Sequence, residues 1–87
     1  KFAIIGFTKY IAAHYGDAGL RANILIPGGV ENKNQTKEFK EKYKKLTPLK
    51  RLAKKKEYKE AILFLVSDAS SYMTGSEFII DGGWTVW

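Results

Sequence analysis

Asn23-Ile24-Leu25-Ile26-Pro27-Gly28-Gly29-Val30 is the stretch that decides how this chain folds. Residues 21 to 26 form a short, nearly continuous apolar run, the pattern of a strand covered on both faces of a parallel sheet. Pro27 stops it, because proline has no N–H for a ladder, and Gly28-Gly29 then gives a backbone that other groups can approach closely. The expectation is a buried strand over 21–26 that ends in a tight, glycine-lined loop.

Outward from that strand the chain alternates. Residues 1 to 16 predict a helix, with Phe2, Ala3, Ile4, Ile5, Phe7, Tyr10, Ile11, Ala13 and Tyr15 leaving only a narrow polar strip around Thr8 and Lys9. Gly16-Asp17-Ala18-Gly19 punctuates it. Downstream, a polar loop from Glu31 to Gln35 leads to a helix at 36–46 with Thr36 as its cap. A second helix at 56–67 turns Tyr58, Ala61, Ile62, Leu65 and Val66 inward. Thr74-Gly75 precedes a second buried strand, Phe78-Ile79-Ile80, and Asp81-Gly82-Gly83 closes it with an expected turn in which Asp81 accepts backbone hydrogen bonds. Helix, strand, helices, strand is an α/β order whose strands want a parallel sheet. Two such strands alone expose their edges, and a helix apolar on most sides wants cover on most sides. The expectation is that an N-terminal part of the sheet is missing from these residues, the more so because Lys1 enters a helical pattern with no cap before it.

Composition narrows the classes. The 87 residues carry a formal charge of +6, and residues 33 to 60 hold twelve of the fifteen Lys/Arg against four of the nine acids. Such a block can neutralise phosphates, but it is lysine-rich and its aromatics fall at helix-core spacing. The reading is a solvated surface, with no nucleic-acid partner. No cysteine is present, which excludes disulfides and thiolate metal sites, and no metal site is expected. The longest apolar runs fall far below the ~20 residues that span a bilayer, so no membrane partner is expected. With no export leader evident, the expected location is cytoplasmic.

The segment N-x-x-x-P-G at 23–28 resembles the one that follows the sixth strand of short-chain dehydrogenases/reductases. Three more features follow in that family's order: Phe64-Leu65-Val66-Ser67-Asp68-Ala69-Ser70-Ser71-Tyr72, then Met73-Thr74-Gly75, then Asp81-Gly82-Gly83-Trp84. The resemblance implies that residues 1–87 are the C-terminal segment of one Rossmann-like, doubly wound domain with a seven-stranded parallel sheet, residues 31–52 being its variable substrate-binding region. It places Lys1 at the lysine of the family's Tyr-x-x-x-Lys motif. There the lysine binds the nicotinamide ribose and lowers the pKa of the proton-relaying tyrosine. It also implies that Pro27, Gly28, Val30 and Asn32 hold the cofactor, NAD or NADP, with loop amides reaching the nicotinamide carboxamide. Asn32 departs from the threonine usual in the family, although its amide can still donate and accept.

The function expected of the parent is therefore an NAD(P)-dependent oxidoreductase interconverting a hydroxyl and a carbonyl on a polar small molecule. Glu31, Asn34, Gln35 and the run at Lys50-Arg51 point to a polar or anionic substrate. With Thr47-Pro48-Leu49 and the Asp81–Trp87 ending, the segment resembles family members associated with sugar metabolism, which implies a sugar derivative. A homodimer or homotetramer is expected, because this family commonly uses these helices as subunit interfaces. The 87 residues alone lack the tyrosine and the phosphate loop, so by themselves they are expected to be inactive. The rival reading is a truncated reductase acting only through oligomerisation or partner binding. His14 and the five tyrosines are read as structural or surface residues.

Overall fold

A computed structural model describes residues 2–87; Lys1 lies outside them. The elements are α1 (Phe2–Tyr15), β1 (Ile24–Pro27), α2 (Lys37–Leu46), α3 (Lys55–Val66) and β2 (Glu77–Ile80), with short 3-10 turns at Gly16–Ala18, Asp68–Ser70 and Trp84–Val86. The order is the helix, strand, helices, strand of the sequence reading. β1 and β2 form a two-stranded sheet. The Ile24 N–H donates to Ser76 O and the Gly28 N–H to Ile80 O, so both registers advance together and the pairing is parallel. β1 begins three residues later than the apolar run suggested. Before Ile24 side chains take the ladder's places: the Ala22 N–H donates to the Thr74 hydroxyl and the Ser76 N–H to Asn23 Oδ1.

The chain divides into two compact units. The first comprises the residues up to Leu25 together with Ile62–Phe78. Here α1 runs into a 3-10 turn that Gly19 closes at φ 84°, a left-handed conformation glycine adopts without strain. The Arg21 guanidinium gathers four carbonyl oxygens, those of Ser70 (2.8 Å), Met73 (3.0 Å), Leu65 (3.0 Å) and Ser67 (3.3 Å). Ser70, itself buried, adds its hydroxyl to Phe64 O and Leu65 O. Each of the four carbonyls that Arg21 meets also accepts a second donor: the Ser70 hydroxyl on Leu65 O, the Ser70 N–H on Ser67 O, the Met73 N–H on Ser70 O and the Asn23 amide on Met73 O. Asn23 ties the same region from both ends of its amide, donating to Met73 O and accepting from the Ser76 N–H. His14 is exposed, stacked on Tyr10 and bonded to its carbonyl. Much apolar surface stays uncovered on α1, where Phe2 is 89% exposed and Ile4 and Phe7 are also open.

The second unit comprises Ile26–Ala61 and Ile79–Trp87. Thr36 caps α2 by accepting the Phe39 N–H at 3.1 Å, and Lys44 and Lys45 sit in its last turn, where positive charge suits the helix dipole. Glu57, in the first turn of α3, accepts the N–H of Lys54 at 2.8 Å and a two-pronged pair from Arg51 at 2.7 and 2.8 Å. Leu52, Ala61 and Thr47 are buried. The Asp81 turn forms as expected: its carboxylate accepts from the Gly83 N–H, the Thr85 N–H and the Thr85 hydroxyl. Those bonds, the Thr85 hydroxyl foremost, hold its pKa below the usual carboxylate value.

Candidate functional site

The loop that follows β1 lies in the second unit, and its five successive amides can be followed one by one. Pro27 ends β1 and is exposed. The Gly28 N–H donates to both Ile80 O and the Tyr58 hydroxyl, each at 2.9 Å. The Gly29 N–H donates to the Tyr43 hydroxyl. The Glu31 N–H donates to Ala53 O at 2.8 Å, part of a parallel bridge between Val30 and Ala53 that also uses Ala53 N–H and Gly29 O. The Asn32 N–H donates to Gln35 Oε1 at 3.1 Å. Of these five, the Val30 N–H alone has no acceptor among the described residues. A half-buried amide without a partner is what a ligand carbonyl would satisfy.

Two side chains from different helices support this pattern. Tyr58 of α3 accepts from Gly28 and donates its own proton to Ile80 O at 2.8 Å. Burial pushes its pKa above the ordinary tyrosine value, which keeps the hydroxyl neutral and able to donate. Tyr43 of α2 lies flat against Trp84, with ring centroids 4.6 Å apart, and its hydroxyl meets the Gly29 amide. The glycines owe their identity to these neighbours. A Cβ on Gly28 would stand 2.7 Å from the Asp81 Cα, and one on Gly29 would stand 2.5 Å from the Tyr43 ring. Close approach by the protein's own groups therefore accounts for both glycines.

Asn32 uses its side-chain oxygen locally, accepting the Asn34 N–H at 2.9 Å, and Val30 O accepts from Gln35 Nε2. The structure thus gathers Pro27, Gly28, Val30 and Asn32 on one loop, while Lys1 is outside the described residues. An open cavity of about 550 Å³ lies beside the loop, lined by the charged and amide residues Glu31, Asn32, Lys33, Asn34, Lys40 and Lys55. Lys40 reaches Glu31 at 3.4 Å; Lys33 and Lys55 have no carboxylate partner among the described residues. No group of three or more metal-ligating side chains occurs among the described residues.

The sequence reading placed Tyr43 and Tyr58 among core or surface aromatics; what it did not foresee is that their hydroxyls accept the Gly29 and Gly28 N–H. The available signal was a hydroxyl on an inward-facing helix position, since a phenol packed inside must find a polar partner.

A family model described as Enoyl-(Acyl carrier protein) reductase matches residues 1–85. Oxidoreductase UcpA of Salmonella typhimurium is 38% identical over 99% of this chain and 37% of its own length. Galactitol 2-dehydrogenase (L-tagatose-forming) of Cereibacter sphaeroides is 38% identical over 100% of this chain and 36% of its own. Among solved structures, a 4-hydroxyisoleucine dehydrogenase complexed with NADH superposes with a TM-score of 0.90 at 31% identity, covering 99% of this chain and 37% of that one. The chain thus spans little more than a third of the length of the relatives it matches. Motif order, α/β topology and near-complete coverage agree: the chain belongs to the short-chain dehydrogenase/reductase family.

Proposed function

We propose that the protein carrying this chain is a nicotinamide-dependent oxidoreductase that interconverts a hydroxyl and a carbonyl on a polar small molecule, with NAD or NADP held against residues 27–32. The observation that carries this reading is the open N–H at Val30, the one amide of residues 28–32 without an acceptor among the described residues. A carboxamide offers one acceptor oxygen and one NH₂, and the Val30 N–H suits the oxygen. Pro27 and Gly28 supply the backbone it lies against, and Asn32 a polar side chain close by. When bound, the nicotinamide would supply a hydride acceptor or donor. The chain's own part is to bind and orient it, and Lys1 has the role of placing a positive charge beside the ribose and the proton-relaying phenol. The similar 4-hydroxyisoleucine dehydrogenase was solved with NADH, which supports a nicotinamide ligand without choosing between the two coenzymes.

The cavity beside the loop supports a polar substrate with anionic character. Three lysines face one glutamate there, and two asparagines add donors and acceptors. That a relative at 38% identity is named for galactitol supports a sugar derivative. The apolarity of α1 on two sides, more than one sheet can cover, supports a homodimer or homotetramer. No helix among the described residues is long and apolar enough to cross a membrane; with the absence of cysteine, this supports a cytoplasmic setting.

The test is to titrate the full-length protein with NADH and NADPH, then follow coenzyme oxidation with a panel of polar carbonyl compounds. Binding of one coenzyme and turnover are expected, with Lys1→Met lowering kcat about a hundredfold or more. If neither coenzyme binds or turns over, the reading is wrong and the non-catalytic alternative takes its place.

A further inference from the structure

We propose that Tyr43 and Tyr58 are positioning residues for the dinucleotide, holding the Gly29 and Gly28 amides so that, of residues 28–32, the Val30 N–H is the one donor presented to it. The inference rests on the reading that a nicotinamide docks on residues 27–32. Its basis is the pattern of occupied and open donors. Gly28, Gly29, Glu31 and Asn32 each give their N–H to an acceptor of the protein, and Val30 alone does not. Two of those four occupied donors meet tyrosine hydroxyls.

The two hydroxyls do different work. Gly28 has a second acceptor, Ile80 O, at the same 2.9 Å. Losing the Tyr58 hydroxyl would leave Gly28 still bonded, while Ile80 O would lose the donor at 2.8 Å that also fixes it. Gly29 has no second acceptor among the described residues. Losing the Tyr43 hydroxyl would open a second donor directly beside Val30. A ligand carbonyl would then meet two adjacent amides pointing in different directions. The ring of Tyr43 is wedged between Gly29 and Trp84, so the backbone at Gly29 is set by a side chain that is itself stacked.

The experiment uses the full-length protein and the variants Tyr43→Phe and Tyr58→Phe. Both keep the ring, and with it the packing against Gly29 and Trp84 in the case of Tyr43. Coenzyme affinity is measured by calorimetry with NADH and NADPH, folding by thermal melting without ligand, and loop amides by hydrogen exchange with and without coenzyme. In the wild type, coenzyme should slow exchange at Val30 and leave Gly29 as protected as before. In Tyr43→Phe, coenzyme affinity should fall about five- to tenfold, the size of one net hydrogen bond, with kcat at saturating coenzyme within twofold. Gly29 should lose protection in the absence of ligand. Tyr58→Phe should show a smaller loss of affinity, about two- to threefold, and it serves as the second variant should Tyr43→Phe melt too low to titrate. Variants that melt lower yet bind coenzyme as tightly as wild type would overturn the inference, leaving the tyrosines a purely structural role. A wild type that binds neither coenzyme would overturn it together with the proposed function, so the two failures are distinguishable.

Discussion

In the first unit the groups in need of partners are carbonyls; in the second they are amides. Around Arg21, the end of α3 and the turn after it present a cluster of acceptors, and one planar cation with several N–H groups absorbs four of them. Around Gly28 and Gly29, the end of β1 presents a row of donors, and two phenol oxygens absorb them. The cation satisfies its cluster and makes a fixed joint. The phenols satisfy theirs selectively and leave Val30 open. The difference teaches where to look for function: a loop whose open N–H at Val30 is flanked by amides that are already held can present one donor to a ligand.

The largest effect should come from breaking the first region. Arg21→Ala removes four charge-assisted hydrogen bonds at once, although each carbonyl keeps a second donor, and should destabilise the protein by about 3 kcal/mol, read from denaturant unfolding. Coenzyme affinity at low temperature should stay within twofold of wild type; a tenfold loss would show that the clamp also shapes the ligand site. Next in size is Gly28→Ala in the second region. Its Cβ meets backbone at Asp81 rather than a movable side-chain end, so a cost of about 2 kcal/mol is expected. Gly29→Ala, which meets only the Tyr43 ring, should cost less in stability. A reversed order would mean that Tyr43 is held more rigidly than the backbone of the Asp81 turn.

Smaller again is the contrast between the two phenols. Tyr43→Phe leaves the Gly29 N–H without an acceptor and should cost about 1–2 kcal/mol, while Tyr58→Phe leaves Gly28 bonded to Ile80 O and should cost under about 1 kcal/mol. Equal costs in thermal melts would dissolve the distinction drawn between them. The smallest effect concerns Glu57, whose carboxyl is pulled from 4.5 down to about 2, first by the side-chain hydrogen bonds from Arg51 and then by the Lys54 N–H. A folded-state pKa below the unfolded one contributes stability that is fully present above pH 4.5 and is lost as pH falls through about 2. Between those limits the wild type should lose stability more steeply than Glu57→Gln. Parallel slopes would show that this exposed pair contributes nothing measurable.

Much of the architecture was legible because it rests on local chemistry. Thr36 before a helical pattern, the Asp81-Gly82-Gly83 turn and the strand stopped at Pro27 are each determined by neighbours within a few residues. The start of β1 was misjudged because Ala22 and Asn23 look compatible with a strand until their partners, 52 and 53 residues further along, are known. The same holds for the loop. The motif at Pro27-Gly28 pointed to the right place, but the acceptors that tie down its amides come from positions 14 and 30 residues away. Periodicity turns Tyr43 and Tyr58 inward and says nothing of what their oxygens meet.

The packing of Trp84 on Tyr43 also gives the molecule a built-in optical probe. Both tryptophans of this chain lie in the closing turn, Trp84 against the ring that touches Gly29 and Trp87 with its indole N–H on Leu46 O. At 4.6 Å between ring centroids, light absorbed by Tyr43 passes efficiently to Trp84, and emission from that indole senses any shift of the phenol beside it. A rearrangement of the loop can therefore be followed as a change in colour and intensity, with no label attached.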